Sequence, residues 1–368
     1  MSAREGKLIE LDAVRGLAAM VVVVGHGFEG WAPSVTTALQ RTPLFGALNG
    51  IAAVIIFFVL SGFVLTVRLI EQRTVRAVPW LLLKRWPRLA GPVVAAGVVI
   101  VLIAWAGGFP AGANGPPYAG WGAAQQNSDA AAVLREAAVT TFWPGTNVHN
   151  PVLWTMHWEL IGSAVAFALA AIVLLPVPAA IRAVLFAAVW WAAARYSVWL
   201  IGFPAGVLAA VVHRQCGARL TLPGNIALAA ALLAALAMSW DIRQDNPGAT
   251  AITAWIGLQT GTALLWIAVA LYHPASRRRL SGRLGARAGR LSFAIYLLHL
   301  PILLSLGAWL FRLGCPVAIL LPVCLVVIIT VATPLAVFDG WWIGQLNRAV
   351  RATRAALAAG WHRTDTAC

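Results

Sequence analysis

AVRGLAAMVVVVGHGFEGWAP, residues 13–33, is the stretch on which the fold turns. At 1.5 Å per residue it rises about 31 Å as a helix, close to the ~30 Å hydrocarbon core of a bilayer. It is too apolar for a soluble surface helix, yet it carries Arg15, His26 and Glu29, with Asp12 just before it. A helix turns 100° per residue, which puts Asp12, Arg15, His26 and Glu29 at about 0°, −60°, −40° and −100°. All four share one face. A charge at the centre of a membrane helix costs about 2.5–3.5 kcal/mol on insertion scales, so such a stripe demands partners or a purpose.

The rest of the chain repeats the apolar pattern. Of 368 residues 61% are apolar and 11% charged, against roughly 45–50% and 25% in soluble domains. Further stretches of span length fall at 48–67, 91–107, 151–175, 183–199, 200–213, 222–240, 251–273, 290–310 and 317–338. The expected fold is all-α, a polytopic transmembrane helical bundle of about ten spans, with the fifth and sixth nearly fused. The net charge of +15, from 27 basic and 12 acidic residues, is distributed by side. One side collects Arg4, Lys7, Arg68 to Arg88, Arg182, Arg214, Arg219, Arg277 to Arg290 and Arg348 to Arg363; the other holds Arg41, Arg135, Arg195, Arg243 and Arg312. By the positive-inside rule both termini are cytoplasmic, and the excess calls for no nucleic-acid partner. Met1 to Glu10 is too polar for a signal-peptide core, so the first span should be retained. Cys216, Cys315, Cys324 and Cys368 show neither metal-ligand nor disulfide spacing.

The expected organisation is a membrane domain over 1–344 and a basic amphipathic cytoplasmic tail over 345–368. The basic loops 68–88 and 274–290 suit orientation and anionic headgroups. On the other side, 107–150 is long and polar-aromatic, with Asn114, Tyr118, Trp121, Gln125, Gln126, Asn127, Trp143, Asn147, His149 and Asn150. Such residues suit sugar hydroxyls and ring faces; they also suit an interfacial cap.

Two more spans carry chemistry. Residues 153–159, LWTMHWE, take Glu159 into the membrane, where a carboxylate must be paired or neutral. Pairing with an arginine, proton transfer and orientation of an imidazole are all open to it. Residues 57–63, FFVLSGF, set Ser61 and Gly62 among bulky groups, which suits either close helix approach or a thin wall beside an acyl chain. Asp12 with Arg15 also fits a snorkelling i,i+3 pair, and Glu29 fits the outer headgroups. His26, flanked by VVVVG and GFEGW, is harder to assign to the interface.

These pieces occur in an order that resembles acyltransferase family 3, the multi-span bacterial enzymes that O-acylate glycans. The resemblance rests on LDAVRGLA with His26 (Arg15, ten residues, then His), on FFVLSGF, on Arg85-Trp86-Pro87-Arg88, on LWTMHWE, and on SFAIYLLH at 292–299. The departures are Phe293 for Tyr, Thr155 for Ser, and Pro87 inside Arg-x-x-Arg. It implies a bacterial cytoplasmic-membrane O-acyltransferase of the cell envelope, with acyl-CoA, usually acetyl-CoA, as co-substrate. A carbohydrate or glycan hydroxyl is the implied acceptor, and no cofactor is tightly bound. With no fused extracytoplasmic domain in this sequence, either the chain completes the reaction or a separate transferase does.

On that implication Arg15, Lys84, Arg85 and Arg88 meet the coenzyme phosphates as guanidinium forks and an ammonium, and Ser61 lies along the acyl path. His26, about 16 Å above Arg15 along the helix, acts as general base or takes the acyl group itself, for imidazole titrates near neutrality. Glu159 orients that imidazole or is the base. Asp12, Glu29 and Trp154 support the site or the acceptor. The rivals are a transporter or exporter of a small glycan or acyl group, which inverted repeats and broken helices would mark, and a membrane scaffold, which gives His26 and Glu159 no task.

Overall fold

The computed structural model describes residues 8–40, 42–110, 129–217, 219–241 and 248–364, with side chains to 357. Asn114, Tyr118, Trp121, Gln125, Gln126 and Asn127 lie outside the described residues, as do Arg4, Lys7, Arg41, Arg243 and Cys368.

Among the described residues ten principal helices make the fold: α1 Ile9–Trp31, α2 Gly50–Gln72, α3 Val78–Trp105, α4 Trp154–Val173 and α5 Ala179–Tyr196. They continue with α6 Gly202–Cys216, α7 Gly224–Ser239, α8 Ala249–Tyr272, α9 Arg283–Ile302 and α10 Val317–Thr364. No strand occurs among the described residues. The chain is a multi-pass helical membrane protein, as its composition requires.

Three details differ from the sequence reading. Nine helices among the described residues are long and apolar enough to cross a membrane, not ten; α7, at 16 residues, falls short. Pro223 sets its start and the backbone turns extended at Trp240, leaving about 24 Å of helix. Second, α3 begins at Val78 rather than near residue 91, with Pro79 in its first turn, where a missing N–H costs nothing. Lys84, Arg85 and Arg88 therefore ride on a helix, not a loop, and each finds a polar partner on a neighbouring helix. Third, α10 continues without a break from the last span into the basic tail.

Burial separates the protein-facing helices from the lipid-facing ones. α5 is apolar, yet Ala193 is its single buried residue, and Val184 and Trp191 stand fully outward. At the centre, α1 packs on α9 and α2 on α6 through small residues. A Cβ added to Gly289 would fall 2.4 Å from the Cβ of Asp12, so the α1 polar stripe lies against α9 at backbone contact. A Cβ on Gly62 would meet the Phe203 carbonyl oxygen at 2.1 Å, and one on Gly206 the Val59 carbonyl oxygen at 2.1 Å. The Ser-Gly step is thereby resolved: Gly62 faces α6, and Ser61, 100° round the helix, faces inward. Gly62→Val should destabilise the detergent-purified protein by at least about 1–3 kcal/mol, the usual cost of overpacking, read as a lower melting temperature.

Candidate active site

The α2 residues at 54, 57, 58, 61, 64, 65 and 68 form one i, i+3, i+4 stripe, and all line a cavity of about 510 Å³. From Arg68 to Val54 the stripe runs about 21 Å. Opposite it stand Asp12 and Arg15 of α1, Arg85 and Arg88 of α3, Thr155, Met156 and Glu159 of α4, and Ser292, Phe293 and Tyr296 of α9. The volume lies within the ~300–1,000 Å³ of small-molecule sites, and the walls are mostly apolar with polar groups gathered at points.

Those polar groups are paired. Arg15 bonds Asp12 one turn earlier through a single contact, Nη2 to Oδ1. Arg88 grips Asp339 of α10 through two contacts, Nη1–Oδ1 at 2.6 Å and Nη2–Oδ2 at 3.2 Å, and stands 5.9 Å over the Phe293 ring. Deeper, Arg85 bonds Glu159 through Nη2 and donates from Nε to Ser163 Oγ at 2.6 Å, which fixes its plane. The same Glu159 Oε1 accepts from Ser61 Oγ at 2.5 Å. The Arg85 and Glu159 side chains are only 14% and 11% exposed, against 40% for Arg15. Cationic character thus rises towards the mouth, and the deep end is a neutralised pair with a hydroxyl on it.

Above that end Tyr296 and Thr155 close the cavity. The Tyr296 hydroxyl donates to the Val152 carbonyl at 2.8 Å and lies 2.8 Å from Thr155 Oγ1; the Phe57 ring meets its edge at 5.9 Å. Beyond this septum lies an imidazole pair. His299 Nδ1 faces the Tyr296 carbonyl at 2.7 Å, and its Nε2 lies 3.1 Å from His26 Nδ1. A carbonyl only accepts, so His299 carries its proton on Nδ1 and offers a lone pair at Nε2. His26 Nδ1 then donates to that lone pair and to the Val22 carbonyl at 3.0 Å. Assigned from this network, the basic nitrogen of neutral His26 is Nε2.

Of the residues singled out from sequence, Asp12, Arg15, Ser61, Arg85, Arg88 and Glu159 line the cavity. Among the described residues His26 is not one of its walls, and its imidazole partner is His299, while Glu159 Oε1 is engaged with Ser61 and Arg85. Lys84 donates instead to Asn347 of α10 at 2.8 Å. Trp154 meets Trp199 with the rings tilted and their centroids 4.8 Å apart, and Glu29 is half-buried. At the His26 end, buried Glu136 accepts from the backbone N–H groups of Val148, His149 and Asn150 at 3.0, 2.9 and 3.3 Å. This staple holds the chain entering α4, and so places Val152 under Tyr296. Asp339, Ser163 and Glu136 carried no sequence signal; Tyr296 and His299 stood inside the SFAIYLLH run without assigned roles.

Searches of the curated proteins and of the solved structures each returned no match. A family model, acyltransferase family 3, described as an acyltransferase domain, matches residues 8–339 of the 368; the chain belongs to that family and is a membrane acyltransferase.

Proposed function

We propose that the chain moves an acetyl group from cytoplasmic acetyl-CoA to a hydroxyl of a carbohydrate acceptor in a bacterial envelope, with His26 as general base on the acceptor. The observation that carries the reading is the cavity itself. Its mouth gathers Arg15, Arg68 and Arg88, and its depth suits an extended pantetheine arm. The positive-inside rule assigns that mouth to the cytoplasm, where coenzyme A is made. At the mouth, phosphate competes with Asp12 and Asp339 for the guanidiniums, and Arg15 is exposed enough to turn towards it. Across the septum, His26 Nε2 supplies a base of suitable strength.

The test is transfer of label from radiolabelled acetyl-CoA to host glycan in inverted vesicles, with and without the chain; equal labelling removes the reading. A second measurement concerns the donor. Arg88→Ala made together with Asp339→Asn, so that no carboxylate is orphaned, should raise the half-saturating acetyl-CoA concentration roughly tenfold or more, as expected for a lost charge-assisted contact. An unchanged requirement removes Arg88 from the donor site.

A further inference from the structure

We propose that Ser61 is an acyl carrier: the cavity brings the thioester carbonyl to the Ser61 hydroxyl, and the acyl group rests there as an oxygen ester. The proposal rests on the acyl-thioester donor set out under Proposed function, and adds a covalent stage to it.

Three observations converge. Ser61 Oγ lies 2.5 Å from Glu159 Oε1, within reach for a carboxylate to take its proton. Glu159 is itself held by Arg85, whose plane is fixed by the 2.6 Å bond to Ser163, which gives a nucleophile, a base and an orienting group in sequence. All of Ser61, Glu159 and Arg85 line the cavity, and Phe57, Val64 and Met156 are among its apolar walls. The imidazoles lie behind Tyr296 and Thr155, hydrogen-bonded across the way. A thioester seated in the cavity therefore meets Ser61 before it meets any imidazole.

In the first step the Ser61 Oγ–carbonyl carbon bond forms and the thioester C–S bond breaks. The hydroxyl proton passes by way of Glu159 to the leaving sulfur, releasing free thiol. The Arg85 guanidinium is the cation beside the transient oxyanion. In the second step the acceptor oxygen attacks the ester carbonyl and its proton goes to His26 Nε2. As the Ser61 ester bond breaks, the imidazolium returns that proton to Ser61 Oγ across the parted septum, so that both groups regain their starting forms. A covalent rest stage lets coenzyme A leave before the septum parts, so the two ends of the site need never be open together.

The full chain is purified in detergent and given acetyl-CoA with labelled free CoA and no acceptor. Label should exchange into acetyl-CoA. Exchange should fall about 100-fold or more in Ser61→Ala, the usual scale for a deleted reacting group, persist in part in Ser61→Cys, and survive in His26→Ala. With labelled acetyl instead, His26→Ala should hold a hydroxylamine-labile acetyl group on the peptide containing Ser61. Peptide mapping in that variant decides the matter even if Ser61→Ala fails to fold. The proposal is overturned if the wild-type chain labels glycan yet shows no exchange, or if protein-bound label persists in Ser61→Ala. If the wild-type chain neither binds acetyl-CoA nor labels glycan, the donor reading fails, and the carrier with it.

Discussion

His26→Ala is expected to lower acyl transfer to the acceptor by roughly 10²–10⁴-fold, the range that positioned acid–base groups contribute, with insertion and folding preserved. The reason lies in the pair. His299 and Val22 both accept from His26 Nδ1, which leaves Nε2 as the basic nitrogen of the neutral ring. Removing the ring removes that base and leaves His299 Nε2 without its donor, a loss of about 1–3 kcal/mol that a large helical bundle tolerates. His26 is half-buried at the edge of the core, so no large cavity follows. Transfer of labelled acetyl to glycan, normalised to folded protein by size-exclusion chromatography, measures it. Wild-type transfer in a folded variant would strip His26 of the role.

Glu159→Ala should have the largest effect on the fold itself. Arg85 and Glu159 are 14% and 11% exposed and bonded to each other. Breaking a buried pair from one side leaves an uncompensated charge and costs about 3–5 kcal/mol. The variant should express poorly and melt well below wild type. Removing both charges, as Arg85→Met with Glu159→Leu, should restore most of the stability, because buried pairs replaced by apolar groups of similar volume are often neutral or better. That double variant should still transfer no acyl group, since Ser61 has lost its carboxylate partner. A single variant as stable as wild type would show that the pair is not buried in the working protein. An active double variant would show that neither charge takes part.

Much of this site was legible in the chain because membrane burial makes polar residues conspicuous. Asp12, Arg15, Ser61, Arg85 and Glu159 stand out against apolar neighbours, and five of the six wall residues named from sequence lie on the three helices α1, α2 and α3. Their partners were harder to read. Asp339 is 251 residues from Arg88 in sequence, and nothing local marks a lone acid near a helix end as the mate of a distant arginine. The start of α3 was misplaced for the same reason: Lys84, Arg85 and Arg88 look like a loop when counted as charges, and like a helix once Asn347, Glu159 and Asp339 satisfy them. Gly62 and Ser61 show the opposite case, where adjacent residues face different neighbours: Gly62 meets α6 at backbone contact, while Ser61 lines the cavity.

α10 runs unbroken from Val317 to Thr364, 48 residues, or about 72 Å at 1.5 Å per residue, more than twice the ~30 Å of hydrocarbon. Arg348, Arg351 and Arg354 on its outer part are exposed. Sliding the rod inward by one turn would drag such a cation towards the acyl chains, at about 2.5–3.5 kcal/mol for each that reached the centre. The rod is therefore moored at a fixed depth, and Asp339, nine residues from Arg348 and so about 14 Å along the same axis, hangs at a set height. The bilayer surface, acting through this plumb line, determines where Arg88 sits.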